Sequence, residues 1–193
     1  MGQTNDGKCG TPKTSEGETK FTADKFPNGF PRPDISTNAK LKAYKELLKA
    51  KIGKKLDNND IVLGVEEAKY RMFDVNSSNP DRNNILDNHI NRMKKLGYHY
   101  SYWVKDIDIL YNMSVGKIYF MVDGMQPREE FNEYLRGNKP TEEGLSVTNI
   151  ELAAVFGRSD NLKKTTFCFR GEPIPFSVVK EVLKLPDLPT FHL

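Results

Sequence analysis

Two cysteines, one tryptophan and three histidines in 193 residues leave little material for several kinds of chemistry. Cys9 and Cys168 have no second cysteine or histidine at ligand spacing. A zinc site needs about four convergent Cys, His or carboxylate ligands, so none is expected. Two cysteines so far apart suit a reducing compartment better than a disulfide-stapled domain. Long apolar runs are missing too: nothing approaches the roughly 20 residues of a bilayer-spanning helix. Met1 and Cys9 are the only apolar side chains among the first twenty residues. These absences predict no export signal, no membrane partner and a cytoplasmic location. No glycine-rich phosphate loop or nucleophile elbow has the required spacing, so no catalytic residue, metal or cofactor is implied.

What is present has the balance of a globular chain, with 37% apolar and 28% charged residues. A folded unit of roughly 150 residues buries about 70% of the surface its unfolded chain exposes, so a sizeable core is expected. The net charge of +3 is small but unevenly placed. Residues 39–56 hold seven lysines against Glu46, a local +6 that leaves −3 for the remainder. On a helical wheel these lysines flank an apolar stripe on both sides, as snorkelling side chains do, and do not form one phosphate-binding stripe.

Residues 1–36 read as a flexible polar tail, with five acidic and five basic side chains and no hydrophobic period. Within it Phe21, Phe26 and Phe30 alternate with Pro27, Pro31 and Pro33. This cluster fits two roles, an extended strap across the protein's own surface or a docking motif for another protein. From Asn38 the period turns helical. Leu41, Tyr44, Leu48, Ile52 and Leu56 predict a first helix of about five turns. Ile61, Val65, Ala68 and Met72 predict a second, opened by caps at Asp57 to Asn59. Pro80 and the arc Ile85, Leu86, His89, Ile90, Met93 and Leu96 predict a third, stopped by Gly97.

The period then changes to two. Tyr98, Tyr100, Tyr102 and Val104 predict a strand, and Ile118, Phe120 and Val122 its antiparallel partner across a turn at 112–117. Beyond it, Pro127 to Arg136 predict a short helix stopped by Gly137. Thr148 and Glu151 favour a helix through Phe156, with a strand as the alternative for so short a run. Thr165 to Phe169 predict a strand, and Phe176 to Leu185 a terminal helix ended by Pro186. The expected fold class is α+β, divided into the tail at 1–36, a unit at 37–125, and a mixed helix and strand extension at 126–193 that either stands alone or joins the same domain.

Three helices followed by a two-stranded hairpin is an order that resembles a winged helix-turn-helix over Asp60 to Asp123, with Asn88 to Tyr98 resembling a recognition helix running into its wing. The resemblance is to a generic fold, without a specific family. It implies a non-enzymatic module that binds double-stranded DNA through helix 80–96 and the 112–117 turn. The residues it would use are Asn84, Asn88, Asn91, Lys94, Lys95 and Lys117, because asparagine pairs with an adenine edge and lysine neutralises phosphate. Two alternatives belong to other classes. One is a structural or adaptor protein, of phage-particle or effector-associated type, that binds a partner through the Phe/Pro tail. The other is a metal-dependent nuclease built on Asp106 and Asp108, which a strand would place on one face.

Overall fold

The computed structural model describes residues 20–56, 60–64 and 116–187. At their centre is a four-stranded sheet in the order β1-β2-β3-β4. β1 is Ile61–Gly64, β2 Ile118–Met121, β3 Thr165–Phe169 and β4 Glu172–Pro173. The first three run parallel, with Ile61 opposite Ile118 and Ile118 opposite Thr165, and β4 turns back antiparallel on β3.

Side-chain alternation divides the strands between two faces. Ile61, Leu63, Ile118, Phe120, Val122, Phe167 and Phe169 point into the larger core. Val62, Tyr119, Met121 and Cys168 point into a smaller core on the other side. Helix α1, Asn38–Lys51, covers that smaller side with Tyr44 and Leu48, joined by Ile52 at its C-cap. The side chain of Thr37 caps it by accepting from the Lys40 N–H at 3.2 Å. The larger side is covered by α2 (Glu129–Leu135), α3 (Val147–Phe156) and α5 (Phe176–Leu183). α4, Ser159–Lys163, leads from α3 into β3. Residues beyond 126 therefore supply two strands and the crossover of the same sheet. Every residue of α3 after Val147 is buried, the pattern of a helix surrounded by protein and not of an amphipathic one.

The coarse expectation of a mixed helix and strand fold is met, and several finer ones are corrected. Residues 61–64 form a strand where a helix was expected. Ile-Val-Leu is a short, apolar, partly β-branched run buried on both faces, and such a parallel strand lacks the alternation that would distinguish it from a helix turn. The antiparallel hairpin at 118–122 is not formed. A strand has two hydrogen-bonding edges, and those of β2 are taken by β1 and β3. The described residues therefore do not have the winged-helix arrangement. The predicted third helix at 80–96 and the strand from Tyr98 lie outside the described residues.

The stretch read as a tail is corrected in part. Residues 20–36 lie as a strap against the larger core, with Phe21, Phe26 and Phe30 buried. All three rings pack on Phe169 at the end of β3, with centroids 5.8, 5.0 and 5.7 Å away. Burying each ring contributes about 1.5–3 kcal/mol. Of the two roles open to this cluster, these residues take that of the strap across the protein's own surface.

Candidate ligand site at the carboxyl ends of the strands

Parallel strands place all their carboxyl ends along one border of the sheet, and in open sheets of this kind ligands bind in the crevice beyond it. Here β2 leaves the sheet at Val122 and turns sharply, the Met125 N–H donating to the Val122 carbonyl at 3.0 Å. Gly124 sits inside that turn at φ +82°, a left-handed conformation glycine adopts without steric cost. The chain then runs through Gln126 and Pro127 to Arg128 at the start of α2. Behind the turn lies Asp123, 1% exposed. Its Oδ2 accepts from the Tyr44 hydroxyl at 2.6 Å and its Oδ1 from the Arg170 N–H at 3.1 Å. One carboxylate thereby ties α1, β2 and the turn after β3 together. Burial pushes its pKa above the usual aspartate value, against the opposing pull of those hydrogen bonds.

In front of the turn is a cleft of about 530 Å³, a size typical of small-molecule sites. One wall is Gly124, Met125, Gln126, Pro127 and Arg128. Ser146, Thr148 and Asn149, from the start of α3, form the second, and Arg32 of the strap the third. Ser146 is the N-cap of α3 and accepts from the Asn149 N–H at 3.1 Å. The first intrahelical bond runs from the Ile150 N–H to the Ser146 carbonyl. The amides of Val147 and Thr148 are left without an acceptor inside the helix, so the positive end of its dipole faces the cleft.

The side chains around that helix end are organised by Asn149. Its Oδ1 accepts from the Ser146 hydroxyl at 3.0 Å and from Arg128 Nη1 at 3.2 Å. Arg128 is therefore held at the helix terminus, and its other terminal nitrogen stands 3.9 Å from Glu130. Thr148 is only 7% exposed, yet its hydroxyl has no hydrogen-bond partner among the described residues. Two arginines, a helix amino terminus and the Thr148 hydroxyl thus line one space. That donor set suits an anion.

It does not suit a metal or a nucleophile. Among the described residues no group of three His, Cys, Asp or Glu is arranged to hold a metal ion. Cys168 is buried, and burial, helped by the charge of Asp123, pushes its thiol up to about 12. A thiol so rarely ionised is inert.

Of the residues expected to bind nucleic acid, Asn84, Asn88, Asn91, Lys94 and Lys95 lie outside the described residues, as do Asp106 and Asp108. Lys117 is described and exposed, at the amino end of β2. Its N–H donates to Asp60 Oδ1 at 2.7 Å and its carbonyl accepts from the Ile61 N–H at 2.9 Å. It is roughly 20 Å along the strand from the cleft, so the structure does not bring it to the same place.

None of the cleft residues stands out in the sequence as a site. The capping signal at Thr148 and Glu151 marks the right helix, but the cap itself is Ser146, and nothing local relates it to Arg32 or Arg128. No helix among the described residues is long and apolar enough to cross a membrane. No protein-family model matches the chain, and no curated protein or solved structure is significantly similar to it.

Proposed function

We propose that this protein binds a small organic anion, carrying a phosphate or carboxylate group, in the cleft beyond the carboxyl end of β2. The single observation that supports this most is that Arg32, Arg128, the amino terminus of α3 and Thr148 line one space of about 530 Å³. Charge-assisted hydrogen bonds from arginine, with exposed helix amides beside them, compensate the desolvation of an anion. Met125 and Pro127 provide an apolar surface for the rest of the molecule. The site is one of binding: among the described residues no activated nucleophile or metal cluster adjoins it.

Calorimetric titration of the full chain with phenyl phosphate and with benzoate tests the proposal. Arg128→Gln should weaken binding by about ten-fold or more, the worth of one charge-assisted hydrogen bond, and Thr148→Val by a smaller factor. Equal affinity of Arg128→Gln and the parent protein would falsify it.

A nucleic-acid-binding role for residues 80–96 and the 112–117 turn is a separate proposal. Among the described residues it is supported by the exposed Lys117 at the end of that turn. Its signature is a steep fall of affinity for duplex DNA with salt. A flat salt response, or no retention of duplex at low salt, counts against it.

A further inference from the structure

We infer that the strap at residues 20–36 is one half of the ligand site, and that ligand binding and strap docking are coupled through Arg32. The inference rests on the anion-binding proposal above and adds the element that responds to the ligand.

The cleft is built from two bodies. Arg128, Ser146, Thr148 and Asn149 belong to the crossover between β2 and β3, whereas Arg32 arrives on a segment held by its own contacts. Those contacts fall on the cleft wall itself. The Phe30 N–H donates to the Met125 carbonyl at 2.7 Å, and the Gly124 N–H donates to the Pro31 carbonyl at 3.1 Å. Arg32 is the next residue, so its backbone is anchored one position away from a bond to the wall. Gly29, at φ +94°, lies so close to the same loop that an added Cβ would fall 2.8 Å from Gln126 Cα and 2.9 Å from the Met125 carbonyl oxygen. The strap thus shapes residues 124–126 as well as supplying a charge.

Its backbone is also stiff where the charge is presented. Pro31 and Pro33 flank Arg32 and fix φ near −65° on either side, and proline restricts the residue before it, here Phe30 and Arg32. Little backbone freedom is then lost when Arg32 engages a ligand. An anion held by Arg32 and Arg128 together bridges strap and body. By linkage, the factor by which docking of the strap raises ligand affinity equals the factor by which the ligand favours docking.

Hydrogen exchange on the full chain, with and without phenyl phosphate, tests this at two amides, Phe30 and Gly124. With ligand at about 100 times its Kd, both should slow by up to about 100-fold, the limit set by mass action. Arg32→Gln changes an exposed side chain. It should keep weaker binding through Arg128 and α3 but lose the ligand-dependent slowing at both amides. Gly29→Ala should speed exchange at both amides without ligand and lower the affinity. Binding of phenyl phosphate that leaves both amides unchanged, or full affinity in Arg32→Gln, would overturn the coupling and leave the anion site standing. Failure of the parent protein to bind any anion tested would remove both.

Discussion

The two faces of the sheet are built differently. On one, three helices and the strap bury a continuous core that runs from Phe21 to Leu185. On the other, a single helix among the described residues and the residue that ends it lay Tyr44, Leu48 and Ile52 over Val62, Tyr119, Met121 and Cys168. The deep face receives every local element of the crossover. Among the described residues, the shallow face rests on one amphipathic stripe flanked by lysines. The difference teaches where stability resides and where charge is tolerated, and it is the deep face whose elements form the cleft.

The largest test of that contrast is a pair of truncations. Phe120, fully buried and packed on Phe167 at 5.8 Å between ring centroids, faces the deep core. Phe120→Ala should cost about 3–5 kcal/mol in urea unfolding, and Leu48→Ala on the shallow face about 2–4 kcal/mol, because a cavity beside a single helix collapses more readily. A larger loss for Leu48→Ala would reverse the ranking of the faces.

Asp123 connects the faces, since Tyr44 reaches it from the shallow side. Burial raises its pKa in the folded state. A raised carboxyl value means that its contribution to stability is complete below the ordinary aspartate value and is lost as pH rises through the folded one. Asp123→Asn cannot titrate. Relative to that variant, the parent protein should become less stable as pH rises from about 4 to about 8 in a series of urea unfolding curves. A difference that grows in the parent's favour with pH would mean that the bonds from Tyr44 and Arg170 outweigh burial.

Ser146→Ala removes the cap of the helix buried at the centre of the deep face. About 1 kcal/mol should be lost, together with one polar contact of the cleft, measurable as a drop in Tm and weaker phenyl phosphate binding.

The smallest effect belongs at the sheet border, where Lys51 of α1 pairs with Glu172 of β4. The Lys51 hydrogen bond holds the Glu172 carboxyl below the usual glutamate value. The associated stability is present above that usual value and fades as pH falls through the lowered one. Lys51 is exposed and Glu172 partly so, and water screens the pair, so Glu172→Gln should change stability by no more than about 0.5 kcal/mol, and less in high salt. A loss comparable with that of Ser146→Ala would give the shallow face an electrostatic anchor the contrast does not allow.

Elements with a local signature were legible in the sequence. The stripe from Leu41 to Ile52 marked α1, and Thr165 to Phe169 marked β3 with its observed bounds. Gly137 and Gly157 stopped α2 and α3 near where they end. Ile61 to Gly64 was not legible, because a short strand buried on both faces has no period to betray it. The cleft was illegible for a stronger reason. Arg32, Arg128 and Thr148 each look like ordinary surface or helix-end residues until chain pairing sets them side by side.

What the sequence alone determined, then, is the set of local choices: which segments prefer helix or strand, where caps and glycines end them, and which side chains must leave water. Only the tertiary structure decided that β2 pairs in parallel with β1 and β3, that the phenylalanines near the amino terminus close on Phe169, and that two arginines share a cleft. Propensity and period act over a few residues along the chain. Partner strands, burial sites and convergent charges are selected by packing free energy between segments tens of residues apart, which no local pattern encodes.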